Sequence, residues 1–154
     1  MKQDMTSGFR SEISIPNVSP GFNQTYQTLR RDWGEESILV CASKKYTLKL
    51  LKIRAGCGGG LQFHRKKDEA GYIVSGRLII SYTENGVLQE RILVSGEHFH
   101  FPPGCIHREY AIEDTIVLEA STPHMNDRVR VEEYFGLERF SSLPSTDEAE
   151  IQEL

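Results

Sequence analysis

The sequence predicts an all-β domain, built as a sandwich or a barrel. Between residues 37 and 121, short apolar or alternating segments recur at close and regular intervals. Glycine, proline and asparagine separate these segments, and they are the residues that tight turns require. One separator, Asn85-Gly86, is the dipeptide typical of a two-residue hairpin loop. Short strands joined by such turns favour an antiparallel sandwich or barrel over any parallel architecture.

The composition is that of an ordinary soluble domain. The chain has 154 residues, of which 38% are hydrophobic and 26% are charged, and this suits one domain with its own core. The net charge at pH 7 is −4, and no basic block is long enough to indicate binding to nucleic acid or a membrane surface. No apolar run approaches the ~20 residues that span a bilayer, and no signal peptide is recognisable. We expect a cytoplasmic protein.

The first part of the chain is predicted to contain an arm and two strands. Residues 1–21 are rich in Ser, Gln, Asn, Gly and Pro, so we expect an N-terminal arm that adds an edge strand to a neighbour. The pattern of residues 26–33 does not decide between a helical turn and an irregular lead-in. Strands are predicted over residues 37–42 and 46–53, and the second alternates as a half-buried strand does.

The rest of the chain is predicted to complete the barrel and then leave it. Further strands are expected over residues 72–74, 77–83, 87–94, 97–101, 108–112 and 115–121. Residues 127–135 suit a short strand or helix that lies across the barrel. Residues 141–154 are acidic and polar and include Pro144, which predicts a mobile tail. The barrel itself is therefore expected to span residues 22–140.

Four polar residues in two segments indicate a site for a divalent metal ion. Gln62 and His64 are two residues apart, so on a strand their side chains leave the same face. Glu69 returns after a short charged turn, and His107 follows the Pro-Pro-Gly turn at residues 102–104. Imidazole and carboxylate groups brought together on one sheet face are typical ligands of such an ion. The amide oxygen of Gln62 would be a weaker ligand.

These two segments resemble the two motifs of the cupin superfamily. Gln62 stands where the first motif has a histidine, and the other positions of that motif match at His64, Glu69 and Gly76. Ala111 stands where the second motif has an asparagine, and its other positions match at Gly96, Pro102, Gly104 and His107. The resemblance implies a double-stranded β-helix, or jelly-roll barrel. It also implies one divalent ion inside the barrel, which could be zinc, manganese, iron, nickel or cobalt.

A narrower resemblance covers residues 31–136 and is to the cupin domain of type II mannose-6-phosphate isomerases. That family begins with Arg-Pro-Trp-Gly where this chain has Arg31-Asp32-Trp33-Gly34, and its ending is similar to residues 129–136. The resemblance implies an isomerase or epimerase that acts on a sugar or sugar phosphate. The metal ligands that it implies are Gln62, His64, Glu69 and His107. Family likeness and exposed barrel edges also suggest a homodimer.

Two cationic residues flank the expected ligands. Lys67 and Arg108 are our candidates for contacting an anionic substrate. Beside a Lewis-acid metal, either Lys67 or a metal-bound hydroxide could be the base that moves a proton through an enediol intermediate. Two alternatives remain. A carbohydrate- or small-acid-binding cupin without catalysis is favoured by Leu137, which stands where the narrower family has an arginine. An iron-dependent oxygenase is also compatible, since a mixed histidine and carboxylate site with open positions permits oxygen chemistry.

Overall fold

The computed structural model describes residue 14, residues 16–139 and residues 143–154. Over these residues the chain forms strands β1 to β11 and two short 3-10 helices, Glu132–Phe135 and Glu148–Glu150. The strands make two sheets in which every strand pair is antiparallel. One hydrophobic core lies between the sheets. The predicted all-β jelly-roll class is therefore confirmed.

The two sheets differ in size. The strands of the six-stranded sheet are β1 (Gln27–Arg31), β2 (Gly34–Ala42), β3 (Tyr46–Ile53), β5 (Glu69–Ser75), β8 (His98–Phe101) and β10 (Thr115–Ser121). Their spatial order is β1-β2-β3-β10-β5-β8. The strands of the five-stranded sheet are β4 (Gln62–Phe63), β6 (Arg77–Glu84), β7 (Val87–Val94), β9 (His107–Ala111) and β11 (Val129–Arg130). Their spatial order is β11-β4-β9-β6-β7.

The hairpin predicted at Asn85-Gly86 is confirmed. Strand β6 pairs with β7 in a register that places Glu84 opposite Val87, so the loop has two residues. Asn85 and Gly86 have φ values of 51° and 77°, as a type I′ turn requires at both central positions. Asparagine and glycine tolerate this left-handed backbone at low cost, which is why this turn was recognisable from the sequence.

Strand β1 replaces the helical turn or irregular lead-in expected around residues 26–33. Its residues pair with β2 from Gln27 opposite Ile38 to Arg31 opposite Gly34. The segment is an edge strand and most of it is exposed. Because neither of its faces is fully buried, it lacks the apolar alternation by which strands are recognised in a sequence.

The core is built from alternate residues of strands in both sheets. Along β3, Thr47, Lys49, Leu51 and Ile53 are buried while their neighbours are more exposed, which is the predicted alternation. The buried apolar cluster takes residues from both sheets: Leu51, Ile53, Ile73, Leu78, Ile80, Leu93, Phe99, Phe101, Ala111 and Val117. This cluster fills one part of the interior. Charged side chains such as Lys49 fill another part, and they form the site described below.

The chain ends were predicted from composition alone. Residues 143–154 are hydrogen-bonded along the barrel where the composition predicted a mobile tail. The N–H of Thr146 donates to the Arg128 carbonyl, the N–H of Leu154 to the Pro123 carbonyl, and the N–H of Lys44 to the Leu154 carbonyl. Most of the expected N-terminal arm, residues 1–13 and residue 15, lies outside the described residues.

Part of the outer surface is apolar. Tyr72 and Val74, on the outer face of β5, are 48% and 45% exposed. A second copy packed on this face would cover such residues, and the homodimer stays a prediction. None of the helices that the described residues form has the length and apolar character needed to cross a membrane.

Candidate metal site

Three of the four predicted ligands meet inside the barrel. Glu69 is the first residue of β5, His107 is the first residue of β9, and His64 directly follows β4. All three are buried, and their candidate ligand atoms lie within 4.8 Å of one another. Gln62 is paired directly with His107, so both side chains leave the same face of the sheet. The amide of Gln62 lines the same cavity, and its role as a fourth ligand stays a prediction.

Backbone carbonyl groups fix the orientation of both imidazole rings. Nδ1 of His107 lies 2.9 Å from the Cys105 carbonyl oxygen, and Nδ1 of His64 is hydrogen-bonded to the Asp127 carbonyl oxygen. Since a carbonyl oxygen only accepts, each Nδ1 carries the proton and donates it. In the neutral ring, Nε2 then presents a lone pair. This is the arrangement that orients histidines as metal ligands.

The lone pairs of both rings converge on one carboxylate oxygen. Nε2 of His64 lies 3.2 Å from Oε1 of Glu69, and Nε2 of His107 lies 3.1 Å from the same atom. Nε2 of His107 is buried and makes no hydrogen bond with the described residues, although it lies so close. Three acceptor atoms in this position need a cation between them. Two imidazoles and a carboxylate are a donor set that suits a divalent transition metal, so the residues fit the predicted ion.

In the protein without a metal, a proton supplies part of the missing positive charge. Burial lowers the pKa of His107, but the Cys105 carbonyl and the Glu69 carboxylate outweigh this and raise it to about 10. Burial alone would raise the pKa of Glu69, whereas the ammonium group of Lys67 and the two histidines hold it well below its usual value. Glu69 therefore stays an anion at the centre of the cluster.

A chain of alternating buried charges extends from the cluster into the barrel. Lys67 donates to Oε2 of Glu69 and lies 3.3 Å from Oε1 of Glu119. The same Glu119 oxygen lies 3.3 Å from Nζ of Lys49, which in turn lies 3.1 Å from Oε1 of Glu36. All five side chains are buried. The chain holds the second oxygen of Glu69 away from the histidines and leaves the first oxygen facing them.

The surroundings of Lys67 differ from those that a base requires. Burial would lower the pKa of Lys67, but the carboxylates of Glu119 and Glu69 outweigh this and raise it above the usual lysine value. A lysine must be neutral before it can accept a proton, and Lys67 is held as a cation by a carboxylate on each side. Its geometry suits the positioning of Glu69.

Arg108 is not brought to the metal cluster. Along β9, His107 faces the interior, so Arg108 faces the other side of the sheet. Its guanidinium lies 3.2 Å from Oγ of Ser81 and 3.7 Å from Oε1 of Glu90, and it is not among the residues that line the cavity. The guanidinium of Arg108 is thus out of reach of a substrate bound in this cavity.

The cluster opens onto a small and strongly polar cavity of about 110 Å³. Gln62, His64, Lys67 and Glu69 line it on one side, together with Trp33. The other charged residues of its wall are Arg31, Glu36, Lys49, Glu109, Glu119, Asp127, Arg128 and Arg130. A cavity with this lining suits a small ligand with many oxygen atoms.

The sequence profile of the cupin family matches residues 50–153, a range that includes every residue of the cluster and most of the barrel. The chain belongs to the cupin family. No curated protein matches the sequence of this cupin at a significant level.

Solved structures resemble this cupin at low sequence identity. KdgF from Halomonas sp. is 24% identical with a TM-score of 0.52, and the match covers 60% of this chain and 80% of that one. The capsular polysaccharide assembling protein CapF from Staphylococcus aureus is 20% identical with a TM-score of 0.54, over 62% and 27% of the two chains. A variant of Bacillus subtilis oxalate decarboxylase is 18% identical with a TM-score of 0.63, over 88% and 41%. This cupin thus spans less than half of CapF and of oxalate decarboxylase, and the likeness concerns the fold.

Glu109 is a cavity residue of this cupin that the sequence analysis missed. It lines the cavity, and its Oε1 atom is buried without a hydrogen-bond partner among the described residues. Burial and the nearby carboxylate of Glu69 raise its pKa to about 7. The position is two residues beyond His107 on the same strand, so strand alternation would have placed both side chains on one face.

Asp127 is the second residue that was missed. Its carboxylate accepts hydrogen bonds from the N–H groups of Arg65, Lys66 and Lys67 at 3.0, 2.6 and 2.9 Å, while its own carbonyl orients His64. The residue is 2% exposed. Burial would raise the pKa of this carboxyl, but the three backbone N–H groups lower it. No feature of the sequence pattern links it to a loop about 60 residues away.

The low pKa of the buried Glu36 carboxyl predicts that part of the stability of the fold is lost in acid. Burial alone would raise its pKa, but Lys49 and Arg31 outweigh this and lower it to about 2 from 4.5. A group with a lower pKa in the folded state stabilises the fold above the unfolded pKa, and this is lost as the pH falls through the folded pKa. We expect this group to account for a loss of about 3 kcal/mol in unfolding free energy between pH ~4.5 and ~2.

Denaturant unfolding at a series of pH values measures this component. The Glu36→Gln variant should lack it, so its unfolding free energy should fall less steeply than that of the wild type over the same pH range. Glu35→Gln is the matched control, because the neighbouring Glu35 pairs with the exposed Lys52. Parallel pH profiles for wild type and Glu36→Gln would contradict the assignment.

Proposed function

We propose that this cupin is a metal-dependent isomerase or epimerase that acts on a sugar or sugar phosphate. The observation that carries the proposal is the convergence of His64, Glu69 and His107 beside a polar cavity. In this cavity Glu109 has a carboxyl oxygen to which none of the described residues is hydrogen-bonded. A metal site adjoining a free proton acceptor is the pair of groups that proton transfer next to a carbonyl requires.

In this proposal His64, Glu69 and His107 hold one divalent ion, with Gln62 as a fourth and weaker ligand. The donor set is compatible with zinc, manganese, iron, nickel or cobalt. Lewis-acid stabilisation of the negative charge that develops on a substrate carbonyl oxygen is the chemistry that a bound ion supplies. Lys67 acts as a positioning residue, because its contact with Oε2 of Glu69 keeps the other oxygen turned toward the histidines.

Glu109 takes the role of the base that the sequence analysis gave to Lys67. Its carboxylate accepts the proton from the carbon next to the carbonyl group, and an enediol forms. The proton then returns to the neighbouring carbon in an isomerisation, or to the other face of the same carbon in an epimerisation. Atoms and electrons balance in either case, so no external oxidant or reductant is needed. The burial of this side chain keeps water away from the transferred proton.

Two resemblances support a carbohydrate as substrate. Residues 31–136 resemble the cupin domain of type II mannose-6-phosphate isomerases, and this favours a sugar phosphate. CapF, which has the same fold, is described as a capsular polysaccharide assembling protein, and this favours carbohydrate chemistry. The polar cavity wall supports both, because charged side chains can form hydrogen bonds with the hydroxyl groups of a sugar.

The strongest competing function is an iron-dependent oxygenase. Two histidines and one carboxylate are the ligand set of non-haem iron oxygenases, and this is the set found at His64, Glu69 and His107. A non-catalytic cupin that binds a carbohydrate or a small acid is the third possibility. Iron-dependent oxygen uptake in the presence of a small acid would identify the oxygenase, and saturable binding without product would identify the binding protein.

The proposal is tested by the interconversion of mannose 6-phosphate and fructose 6-phosphate. Metal-free protein is reloaded separately with zinc, manganese, iron and cobalt, and turnover is measured for each. We expect turnover with at least one metal and a loss of roughly 100-fold or more in Glu109→Gln, with metal content unchanged. Glu90→Gln, at an exposed position on β7, is the control and should retain activity. Full metal occupancy without turnover for any metal would overturn the assignment of this reaction.

A further inference from the structure

We propose that Arg128, together with Arg31, forms a subsite for an oxyanion in the wall of the metal-site cavity. The ligand chemistry is a phosphate or a carboxylate group carried by the substrate. That the anion is part of the molecule that is turned over rests on the proposed function. That the subsite binds an anion rests on the geometry alone.

Nearly every other charge in the cavity wall has a partner of opposite sign or a set of backbone donors. Glu36 pairs with Arg31 and Lys49, and Glu119 lies between Lys49 and Lys67. The carboxylate of Asp127 is occupied by three backbone N–H groups. Glu69 pairs with Lys67 and lies beside both histidines. The remaining acidic group is Glu109, to which the proposed function gives a catalytic role. None of these acidic side chains forms an ion pair with Arg128.

Arg128 is the exception among the cations. Its side chain is half-buried and lines the cavity, yet its guanidinium forms no hydrogen bond or ion pair with any residue that the structure describes. Two further arginines, Arg31 and Arg130, are close enough to oppose its charge. Burial and the charge of Arg31 lower the pKa of this guanidinium, and the carboxylates of Glu36 and Asp127 offset this only in part. A half-buried cation among like charges is costly unless an anion joins it.

The other two arginines of the wall differ in how many of their donor groups are already hydrogen-bonded. Nε and Nη2 of Arg31 both lie 2.8 Å from Oε2 of Glu36, so its Nη1 group has no partner among the described residues. Arg130 is bound to the Glu132 carboxylate and to the Leu143 carbonyl, and its side chain is 3% exposed. Arg128 and the outer edge of Arg31 are therefore the groups that offer donors. The planar fork of a guanidinium matches phosphate and carboxylate oxygens in a bidentate manner.

Trp33 makes the subsite measurable without turnover. It lines the same cavity and is the single tryptophan of the chain, so its fluorescence comes from one residue at this cavity. The metal-loaded protein is titrated with inorganic phosphate and with glycolate, which separates the phosphate source from the carboxylate source. We expect a saturable change in the fluorescence of Trp33 with at least one of these two anions. The affinity should fall roughly 10-fold or more in Arg128→Gln, because charge-assisted hydrogen bonds are lost.

Two controls keep the result interpretable. Arg128→Gln removes no hydrogen bond or ion pair to another described residue, so we expect it to fold with little change in thermal stability. Arg128→Lys should recover part of the affinity, since it keeps the charge but not the planar fork. Arg108→Gln, on the outer side of β9, should bind the anions as the wild type does. If Arg128 had only a structural role, the variants would differ in thermal stability, but their anion affinities would not fall in the order wild type, Arg128→Lys, Arg128→Gln.

Equal anion affinity in wild type and Arg128→Gln, or no saturable response to either anion, would overturn the subsite. Its failure is distinguishable from that of the proposed function. Sugar-phosphate turnover that persists unchanged in Arg128→Gln would overturn the subsite alone. Anion binding that depends on Arg128, in a protein that turns over no sugar phosphate, would support the subsite and count against the isomerase.

Discussion

Replacement of His107 by alanine is expected to abolish tight metal binding. The change removes one of three converging donor atoms and leaves His64 and Glu69 with an incomplete coordination shell. Loss of an outer-shell partner already weakens metal binding roughly 10- to 100-fold, so loss of a ligand should exceed this. The wild type should bind one divalent ion per chain, and the variant should retain almost none after dialysis. Metal analysis and calorimetric titration with zinc measure both quantities.

The matched control for this experiment is His100→Ala. His100 lies on β8 with a 59% exposed side chain that contacts Asp68, so its loss should leave the metal stoichiometry at one. Because the His107 ring also stacks on Phe101 at 4.1 Å, circular dichroism must show that the His107→Ala variant is folded. One tightly bound ion in the folded variant would refute the assignment of His107 as a ligand.

Replacement of Asp127 by alanine is expected to destabilise the fold and weaken metal binding together. The carboxylate accepts three backbone N–H groups in the loop between β4 and β5, and alanine would leave these donors without partners. We expect the free energy of unfolding to fall by about 3 kcal/mol. Metal affinity should fall roughly 10- to 100-fold, because the carboxylate also anchors the backbone segment whose carbonyl orients His64. Denaturant unfolding and zinc titration measure the two effects.

Two further variants test the size of this loss of stability. Asp127→Asn keeps one acceptor oxygen and should lose less stability than Asp127→Ala. Asp147→Ala changes an exposed aspartate and should alter the unfolding free energy by no more than about 0.5 kcal/mol. If Asp127→Ala matched the Asp147→Ala variant in stability and bound metal as the wild type does, the proposed role of Asp127 would be wrong.

The sequence predicted most of the strands because their patterns are local. Alternation along residues 46–53 marked the half-buried strand β3, and Asn85-Gly86 marked the hairpin between β6 and β7. Strand β1 escaped recognition because it is an exposed edge strand with little apolar alternation. Residues 143–154 were expected to be mobile because composition does not register the backbone hydrogen bonds that hold this segment to the barrel.

The metal cluster was predictable because motif spacing survives in the sequence even though its residues are distant in the chain. His64, Glu69 and His107 stand at the spacings of two cupin motifs, and the structure brings them together. The motif spacing did not distinguish Arg108 from Glu109. Strand alternation from the inward-facing His107 sends Arg108 outward and Glu109 into the cavity, but the predicted strand began at residue 108 and so left His107 out.

By itself, then, the sequence determined the all-β class, the cupin motifs and the residue types of the metal cluster, since these depend on local periodicity and fixed spacing. Only the tertiary structure decided the charge states and partners. Lys67 became a fixed cation because Glu119, far away in the chain, lies on its other side. Asp127 became a support for the loop that carries His64, and Arg128 was left without a hydrogen-bond or ion-pair partner in the part of the chain that the structure describes. These outcomes depend on which charges the fold buries next to one another, and no local pattern carries that information.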